Sequence, residues 1–320
     1  MIERLDAFMA RANAAYYATR DPFADFTTAP EISQVFGELL GLWAAVVWQS
    51  MGAPAQVLLV EAGPGRGTLM VDALRAVGRM VPDFHGALRL HLVETSPSLR
   101  AIQAGKLDAT WHDRVEDVPD GPMILLANEF LDALPIRQFV RRDVWCERFV
   151  EDGVFVERPT AAGLPEASEG TVLERCEPAL ELAGYLGARL AAQGGAALFV
   201  DYGPAESAPG DSLQALRGGA FCDPLVEAGT ADLTAHVDFQ AIAGAAVGTA
   251  AHGPVPQGKF LARLGLFQRT GVLARTLQPE AASRLIVSAQ RLAEPDGMGR
   301  LFKALALCHP DLPQPPGFSE

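Results

Sequence analysis

A carboxylate directly ahead of three closely set glycines is the most chemically specific feature of this sequence. "VLLVEAGPGRGTLMVDAL" (residues 57–74) reads as a buried strand, a glycine-rich loop and the start of a helix. Glu61 ends the strand, and Gly63, Pro64, Gly65 and Gly67 form the loop. Such a loop sets the backbone N–H groups of a helix start against a nucleotide-like ligand. The spacing disfavours two common versions. No lysine follows Gly67, as a phosphoryl-transfer loop requires, and G-x-G-x-G is not the G-x-G-x-x-G of dinucleotide enzymes. Glu61 adds a physical reason, because an anion there repels a pyrophosphate and attracts a ligand that carries positive charge. S-adenosyl-L-methionine has an ammonium, a sulfonium and no phosphate, and it meets that requirement. A nicotinamide-dependent oxidoreductase is the rival reading, and both the glycine spacing and Glu61 argue against it.

Two more polar clusters stand where neighbouring strands should end. In "LRLHLVETSPSLRAIQ", Glu94 closes the next strand and Thr95 follows it. An acid at that place accepts hydrogen bonds from both hydroxyls of a ribose. In "MILLANEFLDALP", Asn128 and Glu129 come directly after an apolar strand, and Asp132 lies three residues on, on the same face of a helical turn. These acids suit an active edge, and they equally suit a helix start whose dipole they answer.

Such clusters need a scaffold that gathers strand ends. From Val57 onward short apolar strands alternate with helical stretches, the pattern of a parallel sheet covered on both faces. Ligands bind beyond the carboxyl ends of such strands. That rule collects Glu61–Gly67, Glu94–Ser96, Asn128–Asp132 and Asp201–Gly203 at one edge. Residues 1–51 are predicted to form a helical cap, with Thr28 and Glu31 at capping-box spacing and Pro30 in the first turn. Ile32, Val35, Phe36, Leu39, Leu40, Trp43, Val46 and Val47 then recur on one helix face as core. Residues 52–320 are predicted to be one α/β domain with an insertion at about 136–192. The insertion comprises a hairpin over Ile136–Pro159 turning at Asp152-Gly153, then a helix over Thr171–Ala192. The hairpin could pack on its own domain or on a second copy, so the oligomeric state, a dimer included, stays open. After Tyr202 come a loop, helical patches and a last strand, "RLFKALAL".

Composition narrows the partners. A formal net charge of -13 gives no basic stripe for a nucleic-acid backbone. The four cysteines are scattered without a C-x-x-C pair, and the histidines lack ligand spacing, so neither a disulfide framework nor a metal site is expected. The longest apolar run, Leu39–Trp48, is about half of the ~20 residues that cross a bilayer. Glu3 and Asp6 and the lack of an apolar core at the N-terminus argue against a signal or transit peptide. A cytoplasmic protein of bacterial type, without membrane insertion, is the expectation.

The blocks "RDPFADFTTAPEISQVFGELLGLW", "LVEAGPGRGTLMVDALR", "HLVETSPSLRAIQ", "ANEFLDALP", "VDYG", "GGAFCDPLVEAGTADLTAHVDF", "GPVPQGKFL" and "LFKALAL" resemble, in order, the MidA family of methyltransferases. The resemblance runs from about Tyr16 to near the C-terminus. It implies a Rossmann-like class I fold that uses S-adenosyl-L-methionine. In the family's mitochondrial branch it implies arginine dimethylation of a core complex I subunit, linked to assembly of that complex. Carried over by position, it assigns Glu61, Gly63, Pro64, Gly65, Gly67, Glu94, Thr95 and Asn128 to the cofactor, with Thr28 and Glu31 as further contacts. Glu129 becomes the candidate to hold the guanidinium, with Asn128, Asp132 and Asp25 as further catalytic candidates. The sequence departs from the family's usual pattern around "AAYYATRDPFADF", which lacks two glycines. A catalytically weak assembly protein and a small-molecule methyltransferase are the alternatives.

Overall fold

The structure is a computed structural model that describes residues 2–19 and 27–319. A short strand β1 (Ile2–Arg4) and helix α1 (Leu5–Thr19) come first; α2 (Ala29–Ile32) and α3 (Gln34–Ser50) follow. Ser33 separates the last two with extended backbone, and its hydroxyl accepts the Val35 N–H to start α3. The predicted helical cap therefore departs at Ile2–Arg4, which forms a strand against residues 149–151. Thr28 makes no side-chain cap, since its carbonyl takes the Glu31 N–H, and the Glu31 carboxylate accepts the Thr68 hydroxyl in place of closing a capping box. The apolar stripe of α3 is buried except at Val46, which lies in solvent.

The central sheet begins with β2 (Val57–Ala62), α4 (Thr68–Met80), α5 (Pro82–Ala87) and β3 (Leu88–Val93). α6 (Pro97–Ala104), β4 (Thr110–His112) and β5 (Met123–Asn128) complete its first half. The predicted hairpin is instead a meander of three strands, β6 (Arg137–Arg141), β7 (Trp145–Glu151) and β8 (Val154–Pro159), joined by β9 (Val172–Arg175). Its foreseen turn at Asp152-Gly153 is present, with both residues at positive φ, and it links β7 to β8. The predicted helix over Thr171–Ala192 starts late. Val172 and Leu173 pair with β6, and α7 (Glu177–Gln193) begins only after Cys176.

β10 (Gly195–Tyr202) returns to the sheet. β11 (Gln214–Arg217), β12 (Ala220–Cys222) and β13 (Asp232–Thr234) make a small separate sheet. α8 (Phe239–Ala245), β14 (Ala250–Pro256), α9 (Gln257–Arg263), α10 (Leu266–Ala274), α11 (Pro279–Ala293), α12 (Met298–Leu301) and β15 (Phe302–Cys308) finish the described chain. β4 and β11–β13 are short, and the sequence pattern announces neither them nor β14.

The order in the central sheet is β14-β15-β10-β5-β2-β3-β4. β10, β5, β2, β3 and β4 are parallel, whereas β15 pairs antiparallel with both β10 and the edge strand β14. The chain leaves β2 toward β3 and β4, then crosses back to β5 on the other side. The switch point between β2 and β5 is where such sheets open a ligand crevice. Alternation along the strands makes two cores. Leu59, Leu92, Ile124, Leu126 and Leu198 pack with α3 and α4 on one face; Val60, Leu125, Phe199 and Leu305 pack with α7 and α8 on the other. Gly37 and Gly41 let α3 lie almost on the backbone of α4. A Cβ at either glycine would stand 2.7 Å from Leu69 O or Ala73 Cα. That close approach fixes the N-terminus of α4, and with it the glycine loop.

His91 on β3 and His112 on β4 stack, with Nδ1 and Nε2 2.8 Å apart. Burial first, then His112 and Arg189, holds the His91 imidazole below its ordinary 6.5, and burial does the same for His112. Both rings bind protons less readily folded than unfolded. Their contribution to stability is therefore full above about pH 6.5 and is lost as pH falls below it. Melting curves between pH 7.5 and 5.5 should show the wild type losing about 2 °C more than His112→Gln over that range. Equal losses would exclude the pair as the cause.

Candidate active site

By the same alternation Glu61, Glu94 and Asn128 continue the α3/α4 face at the carboxyl ends of β2, β3 and β5, while Asp201 continues the α7/α8 face of β10. The loop after β2 is folded by its own backbone. Gly67 N–H donates to Pro64 O at 2.7 Å, and Gly63 N–H donates to Val93 O at 3.1 Å, tying the loop to β3. Gly63, Gly65 and Gly67 all have φ between 52° and 74°, where a side chain is strained. This is why the spacing is three glycines and not one.

Glu61 is 3% exposed, and its Oε2 has no hydrogen-bond partner among the described residues. Burial, reinforced by Glu94, pushes its carboxyl up to about 8. Glu94 is half-buried. Its Oε1 accepts the Ser96 N–H at 2.8 Å, and Thr95, exposed beside it, contributes a second backbone bond. Burial outweighs these bonds and moves Glu94 upward.

On the other side of the switch point stands Glu129. Its backbone takes φ 49°, an uncommon conformation for a non-glycine residue and one met at functional sites. Its Oε1 accepts the Ala29 N–H at 2.9 Å and the Asn128 amide at 3.2 Å, which brings the start of α2 over the strand ends. Burial pushes this carboxyl up to about 7, against the Ala29 bond and with help from Asp132. Asn128 is buried, and its Oδ1 has no partner among the described residues.

Asp132 is buried behind Glu129 with Oδ1 unpartnered among the described residues. Burial, then Asp201 and Asp232, drives it well above the carboxylate range. Asp201 also rises by burial, yet its Oδ2 accepts the N–H groups of Phe130 and Leu131 at 3.1 and 2.9 Å, and its Oδ1 that of Tyr202. Backbone donors favour the charged form, so within this pair Asp201 carries the charge and Asp132 the proton.

The structure thus brings Glu61, Gly63, Pro64, Gly65, Gly67, Glu94, Asn128, Glu129 and Asp132 to one edge. Glu31 reaches the same edge through Thr68, which opens α4, at 2.5 Å. Thr28 lies there through its backbone alone, its carbonyl accepting from Glu31 and Ile32. Asp25 falls outside the described residues. Sequence reasoning placed Asp201 at this edge without giving it a role, and it missed two further contributors, Gln103 and Tyr17. Asp201 holds the turn that carries Glu129. Gln103 donates to Gly65 O, and Tyr17 on α1 donates from its hydroxyl to Asp232 at 2.7 Å. A polar residue at an inward helical position, such as Gln103 after Leu99, is the one signal that was legible.

A family model described as "Putative S-adenosyl-L-methionine-dependent methyltransferase" matches residues 39–255. The chain belongs to that family. The methyltransferase is 35% identical to "Protein arginine methyltransferase NDUFAF7 homolog, mitochondrial" of Drosophila melanogaster over 359 aligned positions, covering 95% of this chain and 80% of that protein. The human protein named "Protein arginine methyltransferase NDUFAF7, mitochondrial" is 35% identical, with 91% and 76% covered. A Burkholderia thailandensis crystal structure bound to S-adenosyl-homocysteine superposes with a TM-score of 0.77 at 26% identity, covering 100% of this chain and 89% of that one. These likenesses bear out the expected class I methyltransferase sheet, the S-adenosyl-L-methionine chemistry and the MidA resemblance.

The Asp201 clamp is directly testable. Asp201→Ala leaves buried N–H groups without an acceptor and should lower unfolding stability by about 2 kcal/mol or more, whereas Asp201→Asn keeps an acceptor and should recover much of it. Denaturant titration of both variants separates them; equal stabilities would remove the clamp.

Proposed function

We propose that this methyltransferase transfers a methyl group to an arginine side chain of a protein substrate. The observation that carries the reading is Glu129, a carboxylate held in a strained backbone conformation at the switch point, with the acids Glu61, Glu94 and Asp132 at the same edge. The names of the fly and human relatives support an arginine acceptor. The MidA resemblance extends the proposal to a complex I subunit as acceptor and to a role in assembly of that complex. Among the described residues no helix is long and apolar enough to cross a membrane, and a cytoplasmic location of bacterial type is part of the same proposal.

The residues present fit the cofactor. Glu61 is buried with an unanswered oxygen, and an ammonium answers it; Glu94, on the adjacent strand end, can receive ribose hydroxyls. The glycines let the methionine portion approach backbone. S-adenosyl-L-methionine supplies an electrophilic methyl on a positively charged sulfur. The protein's task is then alignment, which is worth several kcal/mol when the reacting atoms are held in line.

An arginine guanidinium has a pKa above ~12 and arrives charged. The methylated nitrogen must shed one proton as its new N–C bond forms. Ionised Glu129 holds the other guanidinium nitrogens and confines the charge to them, leaving the reacting nitrogen its lone pair. A carboxyl near 7 is also matched to taking up a proton at neutral pH. Asp201 and the Ala29 N–H fix Glu129 in place, and protonated Asp132 avoids a third adjacent negative charge.

Glu129 must be ionised to hold a cation, so kcat/KM should rise with pH and level off above about 7. Glu129→Gln should lower methyl transfer about 100-fold or more while S-adenosylhomocysteine binding stays within about threefold. Mass spectrometry of proteomes with and without the protein identifies the acceptor as a lost arginine methyl mark. Full transfer by Glu129→Gln, or a lost mark confined to other residue types, would overturn the reading.

A further inference from the structure

We propose that Gln103 is a positioning residue that holds the glycine loop and Glu94 in mutual register, and that Trp111 sets its orientation. The inference rests on the reading that this edge holds S-adenosyl-L-methionine. Gln103 is fully buried, at the inward side of α6 with Ser96 and Leu99. Its Nε2 donates to Gly65 O at 2.7 Å and to Glu94 Oε2 at 3.4 Å, and its Oε1 accepts the Trp111 indole N–H at 2.8 Å. The same side chain lies over the loop's last glycine, with Cγ 3.6 Å from where a Cβ on Gly67 would stand.

An amide is a donor at one end and an acceptor at the other, and in general either end can face either way. Here the neighbours remove the choice. The indole can only donate, and the Gly65 carbonyl can only accept. A flipped amide would set carbonyl against carbonyl and N–H against N–H. Trp111, in the middle of β4, thus fixes the NH2 group toward Gly65 and Glu94. One side chain thereby links the segments beyond β2 and β3 to β4.

The division of labour at Glu94 gives this a functional direction. Its Oε1 accepts the Ser96 N–H at 2.8 Å, while Oε2 receives the long contact from Gln103 at 3.4 Å. Gln103 therefore aims Oε2 without saturating it, which suits an oxygen that must also accept from ribose hydroxyls. Lys106 Nζ makes an independent tie, to Arg66 O at 2.9 Å, so the loop is anchored at two successive carbonyls from the α6 side.

The test uses the intact protein and two probes, S-adenosylhomocysteine and its 2′-deoxy analogue, titrated by calorimetry. Gln103→Glu places an acceptor against Gly65 O and Glu94, and should weaken S-adenosylhomocysteine about tenfold or more. It should also narrow the preference for the ribose over the deoxyribose compound, because Glu94 is no longer aimed. Trp111→Phe removes only the orienting donor and should weaken binding severalfold. Combined with Gln103→Glu it should add little, since both act through one amide. In the ligand-free protein the Trp111 indole N–H should exchange with solvent faster in Gln103→Leu than in wild type. Folded variants that keep wild-type affinity and wild-type ribose preference, or strictly additive losses, would overturn the proposal. If the wild-type protein bound neither probe, the cofactor reading itself would fail, which is a separate outcome.

Discussion

A carboxylate buried at the end of a central strand, with one oxygen unanswered, is the constraint around which this site is arranged. Burial favours the neutral acid, and Glu61 is shifted to about 8 accordingly. A protein that only needed stability would place an apolar residue there, since Leu59 and Leu92 on the same face pack well against α3 and α4. An acid in that position becomes useful when a cation comes to it. The loop beyond it has the complementary property. Three glycines at positive φ leave backbone open to a close neighbour, and Gly63 is exposed. Charge and shape at the end of β2 therefore select the same kind of ligand, a cationic nucleoside without phosphates.

The second half of the site obeys related physics with a different solution. Glu129, Asp132 and Asp201 crowd three carboxyls behind the end of β5, and like charges so placed cannot all ionise. Backbone donors decide between them. Asp201 collects N–H groups from the turn after Glu129 and keeps its charge, whereas Asp132 has an unpaired oxygen and keeps a proton. Glu129 lies between these extremes, near neutrality, where a small change in its surroundings moves it either way. Distant elements are recruited to hold this balance. α1 sends Asn13 to Ala133 O and Leu233 O, and α2 gives the Ala29 N–H.

The central strands were legible because their signals are local. "VLLVEA" and "MILLAN" are apolar runs closed by polar residues, and the strands end within a residue of where the pattern stops. The glycine loop and Glu94 were legible for the same reason, as residue types with few other uses at those places. Elements held mainly by pairing were not. Val172–Arg175 looks like the first turn of a helix until β6 is beside it, and Ile2–Arg4 becomes a strand only because β7 offers an edge. Gln103 and Trp111 escaped notice, and Asp201 was collected at the edge without a role, because their meaning lies in partners 38, 8 and about 70 positions away. Thr28 and Glu31 show the converse failure, where a local capping pattern gave way to a tertiary bond with Thr68.

The most direct measurement is proton release on S-adenosylhomocysteine binding, read by calorimetry at pH 7 in two buffers of different ionisation enthalpy. Protonated Glu61 must ionise to meet the ligand's ammonium, so the wild type should release close to one proton, and affinity should rise as pH increases toward about 8. Glu61→Gln should bind more weakly, with that release gone. Tight binding without proton release, unchanged in Glu61→Gln, would show that the buried acid has no part in choosing the cofactor.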